Sequence, residues 1–134
     1  MSNMTILQWA EVFIKYKDAV KRQNESVTVD EKNNKIVVLK KNGVKEVHVC
    51  VDDLDVLVIS ELSNEKVACL NKRSNLDWLI KNWNEIIKTK AAFTFVNPAM
   101  SESWSIHPQL HHHITDKVAL KPGLLALFNS ISKV

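Results

Sequence analysis

Four of the five histidines lie close together, at His107, His111, His112 and His113. Imidazole is the commonest metal ligand in proteins and titrates near neutral pH, so this segment has the widest chemical scope in the chain. On a helix, His107 and His111 share one face, whereas His112 and Asp116 share another. Three consecutive histidines point about 100° apart, so at most two of them converge on one ion. The candidate metal ligands are His107, His111 and Asp116, and a solvated helix start without metal is the alternative interpretation.

A second group of candidate side chains is the acidic run Asp52, Asp53 and Asp55, which leads into an apolar segment. Carboxylates paired at the start of a strand can bind Mg²⁺, a hard cation that prefers oxygen ligands. Aspartate is also a favoured turn residue, and a turn explains the same run without any ligand. Both interpretations stay open from the sequence.

Length and composition predict a single domain over residues 1–134. The chain has 134 residues, of which 46% are hydrophobic and 25% charged, as in ordinary globular domains. A core of normal size follows, so neither disulfides nor a structural metal is needed for folding. The formal net charge of +3 is compatible with a nucleic-acid partner but does not require one.

Glycine and cysteine usage excludes several function classes. Gly43 and Gly123 are the only glycines, whereas phosphate-cradling loops need several, so the sequence predicts no nucleotide cofactor. Cys50 and Cys69 lie in apolar runs without a Cys-x-x-Cys pattern and are predicted to be buried free thiols. No apolar run approaches the roughly 18 residues that span a bilayer, so we expect a cytoplasmic protein without a membrane partner.

Hydrophobic periodicity predicts helices at both ends and in the middle of the chain. The first helix begins with a capping-box pattern at Thr5 and Gln8, and its spacing turns Tyr16 and Val20 toward the core. The predicted helices cover residues 5–23, 74–90, the histidine segment from Pro108, and a last segment that opens at Lys121-Pro122. The predicted strands cover residues 26–30, 35–40, 44–51, 55–60, 66–71 and 91–96, with a short one at 103–106.

This order of elements predicts an α+β (or α/β) fold. We expect a single mixed, mostly antiparallel sheet of five to seven strands, flanked by an N-terminal helix, a central helix and C-terminal helices. The run Val56-Leu57-Val58-Ile59 is continuously apolar, which predicts a central strand buried on both faces. The strand over residues 26–30 is a candidate sheet edge, which a homodimer would cover.

The same order resembles that of the restriction-endonuclease-like nuclease superfamily, which includes RecB-like and archaeal Holliday-junction-resolvase nucleases. In both, a helix is followed by antiparallel strands, a strand led by an aspartate, a strand that ends in a lysine, and then a helix and a strand. The resemblance covers roughly residues 5–97. It implies that Asp55 binds Mg²⁺, that Lys72 orients the attacking water, and that Glu11 of the first helix assists.

The sequence departs from this family at the second acidic position. The acid-x-lysine motif of the family is here Leu70-Asn71-Lys72, and leucine cannot coordinate a hard cation. The first hypothesis is therefore a non-catalytic, nuclease-like binding module without a cofactor, for nucleic acid or a protein partner. Its candidate phosphate contacts are Lys72, Arg73, Lys81, Lys88 and Lys90.

Two further hypotheses stay open. A metal-dependent nuclease or hydrolase would use Asp55 with Mg²⁺, or the segment from His107 to Asp116 with Zn²⁺. A structural or assembly subunit would use an exposed sheet edge. Trp78 and Trp104 are the tryptophans that core periodicity explains least, so each is a candidate to stack on a base or a partner, with burial as the alternative.

Overall fold

The structure, a computed structural model, describes residues 4–114 and 116–134. Among these residues, no helix combines the length and apolarity needed to cross a membrane. The helices are Ile6–Lys21 (α1), Arg73–Lys81 (α2), Trp83–Ile86 (α3), Pro108–Ile114 (α4) and Lys117–Asn129 (α5). The strands are Asn24–Asp30 (β1), Lys35–Lys40 (β2), Lys45–Cys50 (β3), Lys66–Leu70 (β4), Ala92–Asn97 (β5) and Glu102–Ile106 (β6).

All six strands form one mixed sheet, whose spatial order β1-β2-β3-β4-β5-β6 follows the chain. The pairs β1–β2, β2–β3 and β5–β6 are antiparallel, whereas β3–β4 and β4–β5 are parallel. The predicted α+β class with one mixed, mostly antiparallel sheet flanked by helices is therefore confirmed. The segment over residues 26–30 lies in β1, which is an edge strand as predicted.

The sheet separates two hydrophobic cores of unequal size. The larger core lies under α2, α3 and α5, and its centre is made by fully buried side chains such as Phe93, Phe95 and Leu76. The smaller core lies under α1, where Ile6, Trp9, Ala10 and Ile14 pack against the other face. Several helices therefore pack on one face of the sheet, whereas α1 packs on the other. Cys50 and Cys69 are buried free thiols, as predicted.

The capping-box prediction for α1 is confirmed. Thr5 Oγ1 accepts from the backbone N–H of Gln8 at 3.1 Å, and Gln8 Oε1 accepts from the N–H of Thr5 at 2.9 Å. These two bonds satisfy backbone donors that a helix start otherwise leaves open. The first turn of α1 is thereby fixed above the ends of β3 and β4.

The predicted central strand over residues 55–60 is wrong. Two short 3₁₀ turns, Leu54–Val56 and Ile59–Glu61, stand in its place. Because β3 and β4 are parallel, the chain must return to the other end of the sheet between them, and residues 51–65 form that crossover. Leu57 and Ile59 of the run pack against the larger core, as does the preceding Leu54, which is fully buried, whereas Val56 and Val58 are exposed.

The helix predicted over residues 74–90 is shorter and broken. It starts one position before Ser74, ends at Lys81, and is followed by the single turn of α3. At the break, the Asn82 side-chain amide donates to the Trp78 carbonyl at 2.9 Å and so satisfies a carbonyl at the helix end. The interruption reorients the chain so that Trp83 and Ile86 both become buried.

The last helix also starts earlier than predicted. Asp116, not Lys121, precedes α5, and its carboxylate accepts from the Ala119 N–H at 2.8 Å. Pro122 therefore lies inside the helix, where it removes one backbone hydrogen bond. The burial of Leu124 and Phe128 against the larger core stabilises the helix beyond the proline.

Three buried asparagines tie the loops and the C-terminal segment to the ends of the parallel strands. Asn71, fully buried after β4, donates to the carbonyls of Phe128 and Ser132, both at 3.2 Å, and accepts from the Trp104 indole N–H at 2.9 Å. Trp104 is therefore a core residue, which confirms the alternative of burial. The two other buried asparagines are Asn75 and Asn97.

We predict that Asn71→Ala lowers the free energy of unfolding by about 3 kcal/mol, because the Trp104 indole N–H and two carbonyls lose their buried partner. Urea denaturation monitored by circular dichroism measures this, and Asn64→Ala in an exposed turn is the matched control. In a Trp104→Phe background the cost of Asn71→Ala should fall. An undiminished cost there would contradict the contact.

Candidate functional site

The candidate functional site is a cleft between α1 and the sheet, which we call the α1 groove. It encloses about 340 Å³, the size range of small-ligand pockets. Its wall is formed by α1, from Trp9 to Lys21, and its floor by strands β2 to β6. The polar side chains that line it are Lys17, Asp18, Lys21, Gln23, Asn24, Lys40, Glu46, His48, Lys66, Thr94 and Ser105.

The groove exists because the sheet under α1 changes from apolar to polar along the helix. The first half of α1 covers apolar residues such as Ile36, Val38 and Ala68. The same face also carries polar residues that line the cleft: Glu46 and His48, which lie directly beside Val38 and Ile36 on the next strand, and Lys40 and Lys66 at the strand ends. A helix cannot bury apolar side chains on such a floor without leaving these polar groups unpaired, so a cleft remains.

The inward positions predicted for Tyr16 and Val20 are wrong for the same reason. Tyr16 lies seven residues after Trp9, so the two share one side of the helix. Trp9 is 7% exposed over the apolar floor, whereas Tyr16 is 73% exposed and Val20 81%. The periodicity identifies the correct side of α1, but the apolar floor ends before the helix does.

Hydroxyl groups form the far part of the floor. Thr94 on β5 and Ser105 on β6 are cross-strand neighbours, and their hydroxyl oxygens are 2.8 Å apart. Ser105 is exposed on this face. Hydroxyls both donate and accept, so this part of the floor can bind polar ligand atoms of either kind.

Glu46 is the electrostatic centre of the groove. Its carboxylate lies 3.3 Å from Lys66 Nζ and 3.6 Å from Lys40 Nζ, and it is 3.4 Å from His48 Nε2. Burial alone would raise the pKa of Glu46, but the charges of Lys66 and Lys40 and the hydrogen bonds with Lys66 and His48 outweigh it and hold that pKa below its usual value. Glu46 therefore stays ionised and orders both lysines at the cleft.

His48 is held in its neutral form. Burial lowers its pKa, the positive charge of Lys66 lowers it further, and the hydrogen bond to Glu46 opposes both only in part. The neutral ring contributes a hydrogen-bonding group rather than a charge to the floor at neutral pH.

Lys17 and Lys21 give the groove its free positive charge. Seven residues separate Lys17 from Ala10, and Lys21 from Ile14, so both lysines lie on the side of α1 that faces the sheet. Within the described part of the chain neither lysine is in an ion pair, although Lys17 Nζ lies 4.7 Å above the Phe13 ring.

The other carboxylate of the groove is already engaged by backbone. Asp18 Oδ1 accepts from the N–H groups of Gln23 and Asn24, at 2.7 and 2.9 Å, and so fixes the turn from α1 into β1. With Asp18 and Glu46 both engaged, the groove offers free cationic groups, and its arrangement is suited to binding an anion. Burial raises the pKa of Cys50 to about 11, so this thiol near the groove is not a nucleophile at neutral pH.

The structure does not form the predicted magnesium site. Lys72 Nζ lies 3.0 Å from Asp53 Oδ1, so Asp53 rather than Asp55 is its partner. Asp55 is exposed on a 3₁₀ turn, and Glu11 is paired with Lys15 on α1 at 2.7 Å. Lys72 and Glu11 each have another partner, and Asp55 lies on the crossover after β3 instead of on a strand beside β4. They do not fit a shared Mg²⁺.

The predicted zinc site lacks a third ligand. His107 and His111 are one turn apart at the start of α4, as predicted, and the His111 ring meets Trp83 edge-on at 5.9 Å between centroids. Asp116 instead caps α5. Over residues 4–114 and 116–134, no three His, Cys, Asp or Glu side chains are grouped to hold a metal ion. The residues present therefore do not fit Zn²⁺ either.

The predicted basic face around α2 is largely neutralised. Lys72 is paired with Asp53, Arg73 with Asp77 at 3.0 Å, and Lys88 with Glu85 at 3.6 Å. Lys81 and Lys90 are exposed and, in the described structure, have no carboxylate partner. Trp78 is half-buried and packs near Phe93, at 6.3 Å between ring centroids, which leaves it little surface for stacking.

Sequence reasoning misses the α1 groove. Its residues come from six separate segments, and the β3 and β4 residues meet because these strands pair in parallel, with His48 opposite Lys66. One signal was available: Glu46 and His48 alternate with the apolar residues Val47 and Val49, so they mark a sheet face that is not fully covered.

We predict that His48 makes the protein less stable on acidification. Its pKa is lowered in the folded state, so the unfolded chain binds more protons and stability falls as the pH drops below about 6.5. His48→Gln keeps a hydrogen-bonding group and removes this titration. Urea unfolding of both proteins between pH 7.5 and 5 should show the stability advantage of the wild type shrinking with acid. An advantage that grows would contradict the lowered pKa.

No protein-family model matches this chain. No curated protein and no solved structure matches it either. The resemblance to the restriction-endonuclease-like superfamily therefore stays a prediction. The site stands on its own geometry: a cleft under α1 with ordered lysines on its floor, free lysines on its wall, and hydroxyls at its far end.

Proposed function

We propose that this protein is a non-catalytic binding module whose ligand is nucleic acid, held in the α1 groove. The observation that carries the proposal is the placement of Lys17 and Lys21, which face a cleft of about 340 Å³ without carboxylate partners in the described structure. Phosphate groups are the anions that such unpaired lysines attract most strongly along a polymer.

The charge balance of the groove supports an anionic ligand. Four lysines line it, Lys17, Lys21, Lys40 and Lys66, against the two carboxylates of Asp18 and Glu46. Asp18 is neutralised in part by backbone N–H groups, and Glu46 is shared by Lys40 and Lys66. A phosphate entering the cleft therefore meets cationic groups before it meets a free carboxylate.

The groups that a nuclease would need are not arranged for catalysis, and this favours a function in binding alone. Lys72 is paired with Asp53, and Leu70 stands where the family's motif has an acid that would hold the cation. The His107 segment and Asp55 lack the further oxygen or nitrogen ligands of a metal centre in the described part of the chain.

We predict that Lys17→Ala with Lys21→Ala weakens oligonucleotide binding and lowers its salt dependence. Each phosphate contact contributes about 0.7 to the slope of log K against log salt for a single strand, so the double variant should lose about 1.4. Fluorescence anisotropy of a labelled oligonucleotide, titrated at several salt concentrations, measures both quantities.

The matched control is Lys81→Ala with Lys90→Ala, which removes the same charge from the α2 side. This control should change the slope little, because those lysines lie away from the cleft. The opposite result, a large loss in the α2 control and none in the α1 variant, would move the ligand to the face predicted from the sequence. Salt-insensitive binding, or none, would remove the nucleic-acid function.

A further inference from the structure

We infer that the ligand of the α1 groove is a single strand rather than a duplex, and that Tyr16 stacks on one of its bases. This inference rests on the proposed function and adds to it the class of nucleic acid and a specific contact residue. Tyr16 is the only tyrosine of the chain. It lies on α1 between the stacked aromatic pair of Trp9 and Phe13 and the end of the helix.

The exposure of Tyr16 is the first observation. Tyr16 has a large, mostly apolar side chain, yet this side chain is 73% exposed. Tyrosine combines an apolar ring with a polar tip, and such residues are enriched where one side contacts a partner. A ring of this size on a rigid helix offers a flat surface that is already ordered before a ligand arrives.

The position of Tyr16 beside the lysines is the second observation. Lys17 is its neighbour in sequence and lines the groove, whereas Tyr16 is not part of the lining and lies outside it, seven residues after Trp9 and so on the same side of the helix as Trp9. Val12 and Val20, one turn away on either side, are 57% and 81% exposed and extend the same strip. An aromatic platform bordering a basic channel is the arrangement by which single strands are bound, with bases stacked and phosphates on the cations.

The direction of the lysines argues against a duplex. An α-helix enters the major groove of DNA with its basic side chains pointing outward to the phosphates. Lys17 and Lys21 are exposed, and they line the cleft on the side of α1 that faces the sheet, so a chain that enters the cleft contacts both. A duplex is too wide to enter the cleft and would meet these lysines only from its rim.

The hydroxyls on the floor are compatible with a flexible strand. Thr94 and Ser105, with neutral His48, can exchange hydrogen bonds with sugar and base edges in several registers. Such contacts favour strand binding with little sequence preference, because stacking and charge supply most of the affinity.

The test compares Tyr16→Ala, Tyr16→Trp and wild type in anisotropy titrations with fluorescein-labelled dT12, rU12 and a hairpin duplex of equal charge. The inference expects the single strands to bind more tightly than the duplex. Tyr16→Ala should weaken strand binding by about 5- to 150-fold, the effect of removing one stacked base, with the salt slope unchanged. Tyr16→Trp should bind like the wild type or more tightly.

The matched control is Leu110→Ala, which removes another exposed apolar side chain, 61% exposed on α4, and should leave binding unchanged. Thermal unfolding and sedimentation of each variant check its fold and mass. If Tyr16→Ala changes the mass instead of the affinity, the strip is an interface between copies and the stacking contact is wrong.

The outcomes separate this inference from the proposed function. Loss of binding in the Lys17, Lys21 double variant but not in Tyr16→Ala leaves nucleic-acid binding intact and overturns the stacking role. Tighter binding of the duplex overturns the single-strand class. No binding of any oligonucleotide overturns both.

Discussion

The structure depends on how the polar backbone groups at the carboxyl ends of the parallel strands are satisfied. Asn71, Asn75 and Asn97 are buried at these ends, where each unpaired buried group would cost about 1–3 kcal/mol. Asn75 accepts from the Leu54 N–H and donates to the carbonyls of Asp52 and Leu70, all at 2.8 Å, which fixes the crossover. Asn71 and Asn97 do the same for the C-terminal segment, which lies across the strand ends.

The crossover and the C-terminal helix are fixed on one face of the sheet, so α1 alone is left to cover the other face. Six strands about 4.8 Å apart make a sheet roughly 24 Å wide, and a helix is about 10 Å across. The single helix α1 therefore covers about half of its face. The α1 groove is a consequence of this mismatch, and the polar residues of β3 and β4 are placed where the covering ends.

Charge then distinguishes the groove from the other polar surfaces. Of the five basic residues around α2, three are matched by carboxylates, and for Arg73 and Lys88 the carboxylate lies within four residues of chain, as expected for a solvated helix. In the groove, Glu46 orders two lysines from different strands, and the sheet-facing lysines of α1 have no carboxylate within the structure described. The preference for an anion thus comes from Lys17 and Lys21, which stand over a floor where Lys40 and Lys66 are already paired with Glu46.

The sequence by itself determined the fold class, the edge position of residues 26–30, the cap of α1 and the burial of both cysteines, because these follow from local periodicity and side-chain polarity. Only the tertiary structure decided the parallel pairing of β3 with β4, which turned residues 55–60 into a crossover and gave Lys72 the partner Asp53. It also decided how far the apolar floor extends under α1. Both are non-local: a strand-like apolar run and a crossover have the same composition, and a helix face does not reveal what lies beneath it.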